Sequence, residues 1–179
     1  MIQPLRMLAL AGALATSLQA LHAQTSTSFV VAGGVNAPVS RLGDIADLGY
    51  NVAAGVNLGA IALPVGLRFE GAYNGLGLKS GAGDLRIITG TANAIFNLGK
   101  TSDAPYLIAG LGAYNRNFSN RAFGYSDSKT AVGINGGGGL RFPLTGLSTF
   151  FEARYHIMLG NAQDATNYQF IPITFGIMF

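Results

Sequence analysis

The chain has 179 residues, of which 49% are hydrophobic and 11% charged, with 26 glycines and no cysteine. The length predicts one domain, and the absence of cysteine excludes disulfides. The formal net charge is +3 without a polybasic run, so nucleic-acid binding is not indicated. No internal apolar run reaches the roughly 20 residues of a membrane helix, which leaves a deeply buried soluble core or a transmembrane β-barrel.

The first residues have the organisation of an export signal. Residues 1–6 are short and positively charged, residues 7–18 are mostly apolar, and Ala23 is a small residue before Gln24. A buried N-terminal helix is the alternative, but the polar, strand-like sequence that follows would leave it without a partner. We therefore predict a signal peptide over residues 1–23 and a mature domain over residues 24–179.

Alternation with a period of two predicts eight strands in the mature domain. The first lies near residues 28–35, where the pattern does not assign the faces. In the second, one face is apolar and contains Tyr50, Val52, Ala54, Val56 and Leu58. The others follow at residues 63–74, 87–98, 105–116, 131–142, 148–158 and 168–179. Ile95 departs from the pattern of its strand, because it is an apolar residue on the polar face.

The charged residues of these strands fall on the face opposite the apolar one. They are Arg68, Glu70, Arg141, Glu152 and Arg154. An Arg or Lys facing lipid at mid-depth costs about 2–4 kcal/mol, so a bilayer would impose this separation. A soluble exported barrel would instead turn its polar face outward. The many small polar residues and scarce lysines of that face argue against a soluble surface.

The predicted connections alternate in length. Long ones cover residues 36–48, 75–84, 117–129 and 160–167, and shorter ones cover 59–61, 99–104 and 143–146. Outer-membrane barrels have long extracellular loops and short periplasmic turns. The predicted fold is therefore an all-β, eight-stranded antiparallel transmembrane up-and-down β-barrel.

The last strand turns an apolar face outward up to the final residue. Its outward residues include Ile173, Phe175, Ile177 and Phe179. Phe179 is expected in an aromatic girdle at the membrane surface, with Phe142 and Phe96 at similar depth. Pro172 interrupts this strand and cannot donate to a ladder, which predicts a local bulge or a missing bond.

The signal peptide, the eight alternating strands and the terminal I-x-I-x-F-x-I-x-F pattern resemble the small outer-membrane barrel proteins of Gram-negative bacteria, a group that includes OmpX and the transmembrane domain of OmpA. The resemblance implies an outer-membrane location among lipids and lipopolysaccharide. It also implies that the barrel-assembly machinery reads the strand containing Ile173, Phe175, Ile177 and Phe179. The periplasmic peptidoglycan-binding domain of OmpA-type proteins has no counterpart in this sequence.

The charged face predicts the content of the lumen, which an eight-stranded barrel fills with side chains. Arg68, Glu70, Glu152 and Arg154 are expected to meet near mid-height, with Arg141 lower and His156 higher. A plug of mutually satisfied charges is the favoured interpretation, because buried charges need partners. An ion or proton path through a narrow porin-like channel is the alternative.

His156 and Glu152 also raise an enzyme hypothesis, since lipid A deacylases are small barrels with a Ser/His/Glu triad. In those enzymes the nucleophilic serine follows the histidine by two positions, where this chain has Met158. No catalytic residue, cofactor or metal site is predicted, because one mature histidine and no cysteine do not make a zinc site. The glycines of residues 133–139 are expected to make room inside the barrel.

Basic and aromatic residues alternate in the predicted loop at residues 117–129 and just before it. They are Arg116, Phe118, Arg121, Phe123, Tyr125 and Lys129. This mixture suits lipopolysaccharide phosphates, an extracellular ligand or a host surface, and equally an ordinary solvated loop. The sequence thus predicts a non-enzymatic outer-membrane barrel with a structural or surface-interaction role, such as adhesion. A narrow channel and a lipid A-modifying enzyme are the alternatives.

Overall fold

A computed structural model describes residues 25–60, 65–79, 81, 83–99, 104–120, 124–160 and 166–179. The predicted signal peptide, residues 1–23, lies outside the described residues. The elements are β1 (Thr25–Val39), α1 (Ser40–Ile45), β2 (Gly49–Ala60), β3 (Val65–Gly77), β4 (Gly83–Asn97), β5 (Tyr106–Asn120), β6 (Tyr125–Leu144), β7 (Leu147–Met158) and β8 (Tyr168–Met178). Among these residues, no helix is long and apolar enough to cross a membrane.

The eight strands form one closed antiparallel barrel. Each strand pairs with the next, and β1 pairs with β8, so the sheet has no free edge. A path of paired, inward-facing residues that starts at Ser28 in β1 does not close on itself. It returns to β1 at Pro38, ten residues further along, after passing through Asn57, Arg68, Asn93, Gly110, Asn135, His156 and Phe170. This stagger corresponds to strongly tilted strands, roughly 35–45° from the barrel axis. The predicted fold is confirmed.

The outer surface is apolar, as the alternation predicts. Val52, Phe69, Leu111, Val132 and Phe175 each leave about half or more of their area exposed. The inward faces hold the charged residues together with asparagines, threonines and tyrosines. A soluble barrel would have the opposite arrangement, so this wall requires lipid around it.

The first strand, whose faces the sequence left open, follows the same rule. Phe29, Val31 and Val35 point outward, while Val30, Ala32 and Asn36 are buried inside. Because β1 is apolar on both faces near Val30, the alternation of apolar and polar residues could not show which face points outward. Its pairing with β2 and β8 decides the faces.

The connections differ from the predicted alternation of long and short. Ordered strands continue into the predicted loops, so β5 and β6 are joined by residues 121–124 alone, whereas residues 98–105 join β4 to β5. The predicted long loop over residues 36–48 is largely the end of β1 and α1. Hydrogen bonding along the ladder extends these strands beyond the point where the apolar pattern stops, which periodicity does not detect.

Pro172 interrupts one of the two ladders of β8 without displacing it. On the β7 side, the pairs that would join Pro172 to Arg154 and Ile171 to Tyr155 are missing, but the register is the same before and after the gap. On the β1 side, Pro172 stays paired with Asn36. Of the two predicted outcomes the structure has the missing bond and no bulge.

Candidate functional site

Four charged side chains bridge the lumen and form what we call the Arg–Glu tetrad: Arg68 and Glu70 of β3, and Glu152 and Arg154 of β7. Since β3 and β7 lie four strands apart in a ring of eight, the tetrad joins opposite walls. All four side chains are buried, and two guanidinium groups balance two carboxylates. This is the set of residues that the sequence predicted to meet.

The geometry of the tetrad follows from the strand pattern. Residues two apart share a face, and β3 and β7 run in the same direction, so Arg-x-Glu on one wall faces Glu-x-Arg on the other. Arg68 Nη1 donates to Glu152 Oε2 at 2.9 Å, Arg154 Nε lies 2.8 Å from Glu152 Oε1, and Arg154 Nη2 donates to Glu70 Oε1. A 3.7 Å contact from Arg68 Nη1 to Glu70 Oε2 closes the network.

Neutral groups complete the surroundings of the tetrad. The Tyr106 hydroxyl donates to Glu152 Oε2 at 2.6 Å, and Arg68 Nε donates to Asn57 Oδ1 at 2.8 Å. The Phe150 ring lies 5.2 Å from the Arg68 guanidinium carbon. Buried charges cost several kcal/mol each unless their hydrogen bonds are satisfied, so these neighbours offset part of that penalty.

The barrel has two different rims. The terminal rim has Phe179 and the β2–β3, β4–β5 and β6–β7 connections. The distal rim has the β1–β2 connection, which contains α1, and the β3–β4, β5–β6 and β7–β8 connections. At the distal rim α1 places the fully buried Leu42 in the mouth of the lumen. There it joins the apolar plug, which consists of Leu42, Ala46, Leu76, Leu78, Leu85, Ile87, Tyr114, Met158 and Phe170.

Hydrogen bonds fix α1 over this mouth. Ser40 Oγ donates to Gln169 Oε1 at 2.6 Å, Arg41 Nη1 donates to Thr166 Oγ1 at 3.2 Å, and Ala46 forms a bridge with Leu78. Ser40 has a φ of 52°, a left-handed conformation that costs roughly 1–2 kcal/mol for a residue with a Cβ. The contacts of α1 with the barrel offset that strain.

His156 lies between the tetrad and the plug and is buried. Its Nδ1 is 2.9 Å from the Tyr114 hydroxyl, and its ring stacks on Phe170 with centroids 4.9 Å apart. Glu152 is engaged by the tetrad, and Met158 is buried in the plug. Nothing in this arrangement orients His156 between a carboxylate and a nucleophilic hydroxyl, as a catalytic triad requires.

The lumen opens at the terminal rim. A cavity of about 590 Å³, the terminal vestibule, has polar lining from Ser26, Ser28, Asn57, Asn97, Arg141 and Ser148. Arg141 was predicted as an ion-pair candidate, but its Nη1 donates to Asn97 Oδ1 at 2.7 Å and its guanidinium lies 4.5 Å from the centre of the Tyr106 ring. Neither partner is a carboxylate.

The residues predicted to form a binding loop lie elsewhere. Phe118 is in β5 and Lys129 is in β6, so the prediction of a loop at these two residues is wrong, whereas Arg116 lies in β5 as predicted. Arg116 is buried beneath the Tyr168 ring, and Phe118 packs against the plug. The other three candidates give no side-chain geometry: Arg121 and Phe123 lie outside the described residues, and only the backbone of Tyr125 is described, at the start of β6.

The predicted assembly strand is β8. Ile173, Phe175 and Ile177 face outward on it, and Phe179 follows with 60% of its area exposed. Phe179 pairs through its backbone with Phe29, and the two rings are 6.1 Å apart. Phe96 and Phe142 are also exposed on the outer wall.

Sequence reasoning missed the amide groups that surround the charges. Asn36 and Asn51 both donate to Asn74 Oδ1, at 3.1 and 2.7 Å, and Asn135 Nδ2 donates to Asn93 Oδ1 at 2.9 Å. Each of these asparagines is buried and takes the parity of the charged residues. That parity was the available signal. In the described part of the chain, no three His, Cys, Asp or Glu side chains cluster as metal ligands do.

A closed barrel with an apolar outside and a charged lumen defines a transmembrane β-barrel protein. Residues 8–179 match the family described as "Outer membrane protein beta-barrel domain", and the chain belongs to that family. The protein is therefore an outer-membrane barrel of a Gram-negative bacterium. Among curated proteins, no relative matches this sequence.

Several solved structures are similar to this chain at low sequence identity. Neisserial surface protein A is 17% identical, with a TM-score of 0.66 over 86% of this chain and 97% of that one. A major outer membrane protein from Thermus thermophilus is 10% identical, with a TM-score of 0.55 over 86% and 98%. Ail, the attachment invasion locus protein of Yersinia pestis, is 21% identical, with a TM-score of 0.49 over 87% and 98%.

Proposed function

We propose that this protein is a closed, non-enzymatic outer-membrane barrel that acts as a structural and surface-interaction element. The observation that carries the proposal is the double closure of the lumen: the tetrad ties β3 to β7, and Leu42 seals the distal mouth. A solute crossing the barrel would have to displace both. A structural role needs such a rigid barrel and no pathway through it.

A hairpin beyond the apolar belt supports the surface role. On the outer face of β5 and β6, the apolar residues end at Ala113 and Val132. Beyond them, Asn115–Asn120 and Tyr125–Thr130 continue the two strands, and we call this segment the projecting ribbon. At about 3.4 Å per residue, its six residues per strand extend roughly 20 Å along the strand direction.

The outer face of the projecting ribbon is polar and hydrogen-bonded. Asn115 Nδ2 donates to Thr130 Oγ1 at 2.8 Å and to Ser128 Oγ at 3.3 Å. A polar, ordered surface of this kind belongs in water, beside lipid headgroups. It offers an extracellular partner, or the sugars and phosphates of lipopolysaccharide, a fixed array of hydroxyl and amide groups.

Conductance tests the closed lumen. In planar bilayers, the purified wild-type protein is expected to give no steady channel current, because both closures persist. The double variant Leu42→Ala, Glu152→Gln weakens both and is the matched comparison. A stable unitary conductance of the wild-type protein would contradict the proposal and favour a narrow channel, to which the open terminal vestibule would belong.

Cysteine labelling tests the surface position, since the chain has no cysteine of its own. We expect a membrane-impermeant maleimide to label Ser128→Cys on intact cells and to leave Ser26→Cys, at the terminal rim, unlabelled until the outer membrane is opened. The reverse labelling pattern would show that the barrel has the opposite orientation in the membrane, with the projecting ribbon on the periplasmic side. Boiling-dependent gel mobility verifies that both variants are folded.

A further inference from the structure

The terminal vestibule contains Arg141, a positive charge that forms no ion pair among the described residues. Arg141 donates one hydrogen bond, from Nη1 to Asn97 Oδ1, although a guanidinium has five N–H groups. Its Nε is buried and has no acceptor. Within the described residues, no carboxylate lies within ion-pair distance of Arg141, in contrast to Arg68 and Arg154.

Glu152, in the adjoining tetrad, is committed elsewhere. It accepts hydrogen bonds from Arg68 and from the Tyr106 hydroxyl, and Arg154 Nε lies 2.8 Å from its second oxygen. The Tyr106 ring lies between, with its hydroxyl on the tetrad and its face beneath the Arg141 guanidinium. The tetrad is neutral by itself, so it offers Arg141 no free carboxylate, and Arg141 has no ion-pair partner among the described residues.

The space beside Arg141 suits a ligand. The cavity of about 590 Å³ lies within the range of ordinary small-molecule sites, about 300–1,000 Å³. Ser26, Ser28 and Ser148 supply hydroxyl groups, and Asn97, whose Oδ1 accepts from Arg141, supplies an amide nitrogen. These groups can donate to anionic oxygens without adding charge, whereas Arg141 supplies the attraction.

We propose that the terminal vestibule is an oxyanion site in which Arg141 binds a carboxylate or phosphate group. The planar guanidinium presents paired N–H donors that match two oxygens of such a group, which a spherical anion does not provide. The ligand enters from the terminal rim, because the tetrad and the apolar plug close the other end. This site is independent of any role of the projecting ribbon.

Nitrogen NMR of the arginine side chains tests the site directly. The protein is studied in a maltoside detergent, since phosphocholine detergents carry the competing group, and is titrated with inorganic phosphate, acetate and chloride. We expect a saturable shift of the Arg141 Nε–H resonance with phosphate and acetate and no saturable shift with chloride. Equal responses to all three anions would overturn the proposal, because they would indicate simple charge screening.

Two variants locate the effect. Arg141→Gln removes the charge, and Asn97→Asp keeps Arg141 but gives it an internal carboxylate in place of the amide. Because Arg141→Gln lacks the Arg141 Nε–H resonance, phosphate binding to this variant is followed through the side-chain amide resonances of Asn57 and Asn97. In both variants phosphate affinity is expected to fall about tenfold or more, whereas Arg86→Gln, on the exposed outer face of β4, should bind like the wild type. Unchanged phosphate affinity in folded Arg141→Gln and Asn97→Asp proteins would refute the site.

Discussion

The two ends of the lumen are closed to different degrees and by different chemistry. Toward the distal rim the lumen is filled by the apolar plug, which includes one residue, Leu42, delivered by α1. Toward the terminal rim it opens into the vestibule below the tetrad, where Arg141, asparagines and serines share the lining with apolar side chains. The barrel wall is regular throughout, so the difference comes from the inward side chains and from one connection that folds back.

The two closures also differ in how they would fail. Apolar packing weakens gradually as methylene groups are removed, at about 2–5 kcal/mol for a leucine shortened to alanine. A buried ion network is lost as a unit, since removing one partner leaves another charge without compensation. The predictions below use this contrast.

Removing one charge of the tetrad should have the largest effect. Glu152→Gln leaves Arg68 and Arg154 with the single carboxylate of Glu70, which should lower the free energy of unfolding by about 3–5 kcal/mol. The measurement is a urea titration of the protein folded in lipid vesicles, followed by far-UV circular dichroism. The comparison is Asp127→Asn, whose partly exposed carboxylate makes a single 4.0 Å contact with the buried Arg116, and its expected loss is smaller than that of Glu152→Gln. Equal losses in the two variants would mean that the closed tetrad is no stronger than this single, partly exposed pair.

Shortening the residue that fills the distal mouth should come next. Leu42→Ala should cost about 2–4 kcal/mol, confined to α1 and its contacts. Hydrogen exchange is expected to accelerate at the amide of Ala46, which donates to the Leu42 carbonyl, while the β4–β5 ladder stays protected. Ile45→Ala in the same helix is the control, because Ile45 is 43% exposed. Faster exchange throughout the barrel would show that the plug holds the wall together as well as closing it.

The contrast also separates what the sequence could predict from what it could not. Arg68, Glu70, Glu152 and Arg154 were predictable because alternation fixes the face of a residue and opposite charges on inward faces must meet. Leu42 was not, because it lies in a connection, where no period applies and a six-residue helix leaves no pattern. Phe118 was misassigned to a loop because its strand continues where the apolar pattern ends. Arg141 was assigned to the correct face, but it pairs with Asn97 and not with a carboxylate. The face of a residue does not give its distance to the nearest carboxylate, so this outcome could not be predicted.

The wall beside the tetrad should be more sensitive to added volume than the lipid-facing wall. Gly137 faces inward opposite Arg154, and a Cβ there would lie 2.7 Å from Arg154 Cα and against the Ala153 carbonyl oxygen. Gly137→Ala should therefore destabilise the barrel by about 1–3 kcal/mol in the urea titration. Gly90→Ala is the control, because a Cβ on that outward glycine meets no atom within 4 Å. A loss in Gly90→Ala as large as in Gly137→Ala would point to backbone conformation, in place of crowding, as the cause.

The smallest effect is expected where the ladder beside the tetrad is already incomplete. Pro172→Ala supplies the N–H that β8 lacks opposite Arg154, and a new hydrogen bond contributes about 0.5–1.5 kcal/mol. Replacing proline also frees the unfolded chain, which costs about 0.4–1 kcal/mol, so the free energy of unfolding should change by less than about 1 kcal/mol. Local protection should still increase at Arg154, because its amide faces position 172 across the β7–β8 ladder, and the amide that the substitution introduces should itself be protected. Unchanged exchange at Arg154 and an unprotected amide at position 172, with Asn36 still paired on the other side, would show that the tetrad's geometry, and not proline, keeps β7 and β8 apart at this point.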